Sequence, residues 1–203
     1  MLKQKEKSAL TRQRIMAAAM EEFGNRDYGT ASMNSICERG ALPKGLIYHH
    51  FKGKEDLYLA CVEEVFHQLA TALNDYAEEN STATGEALLA ECFEVRQRFF
   101  SEHPFYGEVL YSVSAMPPAG LSEEIASRRA ELNRVNLTLL RKVVGQMELR
   151  EGIPFHELEE AYLVYQDMVN VRLNQLMRGK SMAQQEAMRM CWVRIFLYGI
   201  VKS

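Results

Sequence analysis

The 203-residue sequence has little in it that would take a chain out of water or cross-link it. No apolar run approaches the ~18 residues of a membrane span; the strongest, Ile195–Val201, is far shorter and follows Arg194. The N-terminal stretch MLKQKEKSALTRQR is polar and basic with no apolar segment behind it, which argues against a secretory signal. The four cysteines, Cys37, Cys61, Cys92 and Cys191, lie far apart, with no C-x-x-C pair and no histidine at finger spacing. That pattern favours reduced thiols on buried helix faces over a zinc site or a disulfide framework. A cytoplasmic protein with no metal and no cofactor is expected. The five prolines and twelve glycines are clustered, and between the clusters lie long stretches rich in Ala, Leu, Glu, Arg and Met, which are good helix formers. Alternating strand patterns, internal repeats and low-complexity segments are absent. The fold class expected is all-α.

The net charge of −3 hides an uneven split. Residues 1–54 carry ten bases against five acids, a balance of +5, whereas residues 55–203 carry fourteen bases against twenty-two acids, a balance of −8. A small basic head on an acidic body points to a polyanion partner for the head alone. A solvated lysine-rich arm would give the same split, so charge by itself leaves both open.

The head resolves into three short helices. The first runs from about Ser8 or Thr11 to Phe23, with Ile15, Ala19 and Phe23 on one face, and ends over Gly24–Gly29. The second opens at Ser32 as N-cap, turns Met33, Ile36 and Cys37 toward a core, and stops at Gly40. Pro43 sits where a first helical turn tolerates it, and Lys44–His50 form a very short third helix. Two short helices joined by a tight turn containing glycine describe a helix-turn-helix.

The stretch Ser32–Leu57 resembles the TetR (tetracycline-repressor-like) family of bacterial transcription regulators. The densest part is Lys44-Gly45-x-x-Tyr48-x-x-Phe51-x-x-Lys54-x-x-Leu57, and the motif similarity covers about residues 8–60. The resemblance implies a DNA-facing set of Ser32, Met33, Pro43, Lys44, Gly45, Tyr48, His49 and Lys54. The chemistry of these residues agrees. Gly45 lets backbone approach a phosphate or base edge, and Lys44 and the Tyr48 hydroxyl suit phosphate contacts. His49 has reach toward a base edge, and Lys54 pairs its charge with a helix N-terminus. Tyr48 has a second, less favoured reading as a core aromatic, Phe51 and Leu57 read as anchors to the core, and His50 reads as packed. Three positions depart from the family pattern. Asp27 replaces a glycine before Tyr28 and is expected to take the left-handed region. Gly40-Ala41 stands where Ala then Gly is usual, so the turn would be rebuilt by one residue. Pro43 replaces a common serine and removes a hydroxyl and an amide donor.

The body continues in long helical patterns. Residues 54–79 would span roughly 39 Å at 1.5 Å per residue, enough to bridge a head (1–54) to a second domain (55–203). Further helices are expected at about 86–101, 105–115, 121–149, 155–178 and 181–202, nine in all. Aromatic and polar residues suited to an effector pocket are Phe66, Phe93, Phe100, Tyr106, Tyr111, Tyr162, Gln166 and Asn170, though plain helix packing would use the same residues. The last two helices carry wide apolar faces, with Tyr165, Met168 and Arg172 on one and Met188, Trp192, Ile195 and Gly199 on the other. The run Cys191–Tyr198 leaves so little polar side that both sides should be buried, either in a homodimer, as the resemblance implies, or as the central helix of a monomer.

Nothing in the sequence supports catalysis: G-x-S-x-G, a phosphate-cradling glycine loop and H-E-x-x-H are all missing. The reading that results is a dimeric regulator of double-stranded operator DNA, with no membrane partner. The resemblance makes it a repressor released by a small, mostly apolar effector. The alternatives are a regulator of the same fold with no effector, or a helical protein-interaction module.

Overall fold

The computed structural model describes residues 2–79, 83–145, 147–177 and 181–201, the side chains of 2, 3, 168–177, 182, 183, 185, 186 and 189 excepted. Among the described residues there are ten helices and no strand beyond one isolated bridge. They are α1 (Leu2–Asn25), α2 (Met33–Gly40), α3 (Lys44–His50), α4 (Lys54–Glu79) and α5 (Gly85–Glu102), then α6 (Pro104–Ala115), α7 (Ser122–Arg128), α8 (Ala130–Val144), α9 (Phe155–Met177) and α10 (Met182–Ile200). The all-α class holds. None of these helices is long and apolar enough to cross a membrane.

Two of the expected helices need correction. The first helix begins at Leu2, well before Ser8; Lys, Gln and Glu extend a helix readily but carry no apolar period by which to see it. The run expected as one helix over 121–149 is two, α7 and α8, because the helical pattern is interrupted at Arg129, the C-cap of α7. Nine helices thus become ten.

The chain packs as two compact units, Met1–Phe66 with His103–Arg129, and His67–Glu102 with Ala130–Ser203. These units differ from the division expected at residue 54, because the start of α4 and all of α6 and α7 pack with the first three helices. In this first unit Ile15, Ala19 and Phe23 of α1 are buried as their spacing predicts, with Ile36, Ile47, Phe51 and Leu57. α1 lies against α2 and α6. Its end approaches α6 so closely that a Cβ on Gly24 would stand 2.9 Å from the Phe105 Cβ. Asp27 does not take a left-handed conformation; among the described non-glycine residues only Ala41 has a positive φ. Asp27 instead holds its turn by side chain, Oδ1 accepting from the Thr30 amide and hydroxyl, each at 2.7 Å.

In the second unit α5 packs on α8 and α10, and α8 on α9. α10 is closed at both ends by side chains. Ser181 and Gln184 form a reciprocal capping box. Arg150 donates from Nε to the Val201 carbonyl (3.0 Å) and from Nη2 to that of Tyr198 (2.9 Å), satisfying carbonyls the helix itself cannot.

Candidate nucleic-acid interface and ligand site

The helix-turn-helix is built by local hydrogen bonds. Ser32, extended at φ −133°, accepts the Ser35 amide on its Oγ at 3.0 Å and so starts α2. Its hydroxyl is thereby engaged in capping. α2 ends with Ala41 in the left-handed region (φ 47°, ψ 49°), the Leu42 amide returning to the Cys37 carbonyl at 2.9 Å. The turn is therefore not rebuilt. Ala41 adopts the strained conformation that glycine usually takes, and Gly40 is needed for space, because a Cβ there would lie 2.6 Å from Leu42 Cδ1 and 3.1 Å from Ala18 Cβ. Pro43 then stands one residue earlier than expected, as the exposed N-cap of α3, its carbonyl accepting the Leu46 amide.

α3 is held from below and bare above. Ile47 is fully buried, and Phe51 is buried beneath the Arg12 guanidinium, 4.7 Å from the ring centre. On the other side Lys44, Gly45, Tyr48 and His49 are exposed. Tyr48 is 46% exposed, which removes the core-aromatic alternative. A Cβ on Gly45 would meet nothing within 4 Å, so no packing inside the chain requires a glycine there. His50 is half-buried with its ring edge-on to His49, and Met33 is half-buried at the start of α2. Lys54 turns inward. Its ammonium donates to the carbonyls of Tyr28 (2.9 Å) and Ala31 (3.2 Å) and lies 4.5 Å over the Tyr28 ring, while Glu55 and Asp56 follow it in the first turn of α4.

A buried ion pair that sequence reasoning missed fixes α2 against α1. Glu22 is wholly buried and accepts from Arg39 Nε (2.8 Å) and from the Ser32 amide (3.2 Å). Burial pushes its carboxyl upward, but the Arg39 hydrogen bond, the Ser32 amide and the charges of Arg26 and Arg39 outweigh that and hold it below its ordinary value. The signal was present: Glu22 lies in register with Ile15, Ala18, Ala19 and Phe23, an acid inside the apolar face of α1.

The residues expected to line an effector pocket do not assemble as one set. Phe66, Tyr106 and Tyr111 belong to the first unit; Phe66 is buried there under Arg129, and Tyr106 stacks on His103 at 4.9 Å. In the second unit Phe93 is buried and Phe100 is half-buried, edge-on to Phe99. Tyr162 and Gln166 are buried together, the Gln166 amide donating to the Tyr162 hydroxyl oxygen at 2.6 Å. Beside them are two residues the sequence did not single out. Arg96 donates from Nη1 to the Cys92 carbonyl (3.2 Å) and from Nη2 to the Asn136 side-chain oxygen, and both Arg96 and Asn136 are buried. Burial pushes the Tyr162 hydroxyl up to about 12, although the Arg96 charge acts to lower it. The Asn170 side chain lies outside the described residues. A separate cleft of about 220 Å³ in this unit is lined by Asp75, Tyr76, Glu79, Arg98, Phe99 and Glu102.

Among its described residues, α10 is buried on one side only. Val193, Phe196 and Leu197 face inward, whereas Cys191, Ile195, Tyr198 and Gly199 are exposed, Ile195 and Tyr198 to 59% each. That is a correction to both sides being buried within the chain, and α10 is not the enclosed helix of a monomer. Tyr165 is half-buried against Phe196 (4.8 Å), its hydroxyl donating to the Trp192 carbonyl at 2.7 Å; Trp192 and Met188 are half-buried. The side chains of Met168 and Arg172 lie outside the described residues.

Comparison with known proteins locates the same head. Residues 15–61 match the model for bacterial regulatory proteins of the tetR family. The transcriptional regulator UidR of Escherichia coli K12 is 44% identical over 52 residues, which cover 26% of each chain. IcaR of Staphylococcus epidermidis, a negative transcriptional regulator of a biofilm operon, is 24% identical over 122 residues, 59% of this chain and 62% of IcaR. The chain thus matches only about a quarter of the length of UidR. The crystal structure of FadR from Bacillus subtilis in complex with stearoyl-CoA superposes with a TM-score of 0.76 at 17% identity, over 93% of this chain and 98% of that one, a likeness of fold. Residues 15–61 thus form a helix-turn-helix of the kind found in the tetR family of bacterial regulatory proteins, on an all-α fold shared with FadR over nearly the whole length.

Proposed function

We propose that the chain is a sequence-specific DNA-binding transcriptional regulator that acts as a homodimer and represses until a small, mostly apolar effector releases it from its operator. The observation that carries the DNA-binding part is α3: anchored by Ile47 and Phe51, it turns Lys44, Gly45, Tyr48 and His49 to solvent. A cation, a bare backbone and a phenol on one exposed surface suit phosphate and base-edge contact. The exposed apolar strip of α10 supports a symmetric pair. The repressor and effector parts lean on relatives: IcaR is named a negative regulator, and FadR was solved with stearoyl-CoA. Operator DNA and effector must oppose each other by linkage, each weakening the other by the same factor.

Selection from a pool of random duplexes tests the proposal. The recovered sites should be near-palindromic, with half-sites one helical turn, about 34–36 Å, or a multiple of it apart. Recovery of no common sequence, or of single half-sites only, would count against it.

A further inference from the structure

Among the described residues, a buried cation of the second unit has no anion beside it. Arg96 is 3% exposed, and among the described residues its hydrogen bonds go to neutral acceptors, the Cys92 carbonyl, the Asn136 side chain and the Tyr162 hydroxyl. Its Nε is buried with no hydrogen-bond partner, and so is Gln166 Oε1. The two residues converge on Tyr162: Gln166 donates to its hydroxyl oxygen, and the Arg96 charge acts on the same phenol. An unpaired guanidinium inside a protein is strongly unfavourable, and apolar residues of similar volume usually do as well or better. A cluster around Tyr162 that leaves one donor and one acceptor orphaned is suited to a ligand that brings the complement of each.

We infer that Arg96 anchors the effector, binding the carboxylate of a small acid whose adjacent hydroxyl or N–H is accepted by Gln166 Oε1. A carboxylate fits the side-on edge of a guanidinium, taking Nε–H and a remaining Nη–H as a bidentate pair. The Tyr162 hydroxyl, whose oxygen already accepts from Gln166, keeps its own proton to donate to the same carboxylate. A neutral ligand would leave the Arg96 charge uncompensated, and a simple acid without the neighbouring donor would leave Gln166 orphaned. The site therefore selects for charge first and for the second group next. Its consequence for DNA rests on the effector-relieved reading above; binding itself does not.

Calorimetry and thermal unfolding of the full chain with sodium mandelate, phenylacetate and mandelamide test this. Mandelate carries both groups on an apolar ring, phenylacetate lacks the hydroxyl, and mandelamide lacks the charge. Mandelate should bind tightest and raise the unfolding temperature, phenylacetate should bind more weakly, and mandelamide should not bind. Arg96→Met should weaken mandelate about tenfold to a hundredfold, as expected for losing a charge-assisted hydrogen bond. In the absence of ligand the same variant should unfold at an equal or higher temperature, since it removes an uncompensated charge. An unfolding temperature several degrees lower would make Arg96 a structural residue and overturn the inference. So would equal binding of mandelate and mandelamide, or binding of neither. Mandelate that binds through Arg96 yet leaves operator affinity unchanged would sink effector relief but keep the site. A neutral compound that releases the operator irrespective of Arg96 would do the reverse.

Discussion

Glu22 and Ala41 are where single residues bear most on the helix-turn-helix head. The Glu22 carboxyl is held below its ordinary value, so its contribution to folding is complete above the ordinary carboxylate range and is lost as pH falls through the lower folded-state value. The unfolding temperature should therefore drop in acid, and Glu22→Gln should start lower at neutral pH but decline less steeply. The neutral-pH cost should be roughly 1.5–3 kcal/mol, nearer the lower figure because Arg39 keeps some contact with water. Parallel pH profiles for the two proteins would contradict this. Ala41 carries the strain of a left-handed alanine, about 1–2 kcal/mol, against which glycine's extra freedom in the unfolded chain must be set. Ala41→Gly should thus stabilise by roughly 0.5–1 kcal/mol, whereas Gly40→Ala should destabilise by about 1–3 kcal/mol through overpacking on Leu42 and Ala18. Denaturant melts of both variants check the pair, and a stable Gly40→Ala protein would show the turn to be looser than its geometry implies.

The exposed strip on α10 makes Ile195 the position that separates assembly from folding. At 59% exposure it can become glutamate with little effect on the chain's own core, unlike the half-buried Trp192, whose ring and carbonyl both meet Tyr165. The unmodified chain should sediment as a dimer and Ile195→Glu as a folded monomer; an unmodified chain that is monomeric at micromolar concentration would contradict the assembly. At this scale the sequence was informative wherever apolar spacing carried the signal. The face Ile15, Ala19, Phe23, the bounds of α2 and α3, and the spans of α4, α9 and α10 could be read to within a few residues. What could not be read was polar. The start of α1 lacks any apolar residue spacing, and the Arg129 interruption has no glycine or proline to mark it. Glu22, Arg96 and Asn136 are of types that normally face water, so their burial depends on partners distant in sequence. Lys54 shows the same gap: its motif position suggested a phosphate contact, but two carbonyls and the Tyr28 ring receive its ammonium.

For the whole molecule, the +5 balance of residues 1–54 against −8 elsewhere confines attraction for a polyanion to the end of the chain that carries α3. Lys44 and Lys54, equivalent in a motif, should then behave differently. Lys44→Ala removes an exposed charge and should weaken DNA binding while leaving the unfolding temperature near that of the unmodified protein. Lys54→Ala removes a clamp between α4 and the preceding loop and should lower the unfolding temperature. Whether the outward face of α3 engages the DNA backbone is read from the salt dependence of binding. Dissociation constants for a selected duplex, measured by fluorescence anisotropy between about 50 and 200 mM salt, should give a steep line when plotted logarithmically. Lys44→Ala should flatten that slope by about one unit. Affinity indifferent to salt, or a Lys44→Ala slope identical to that of the unmodified chain, would contradict the account.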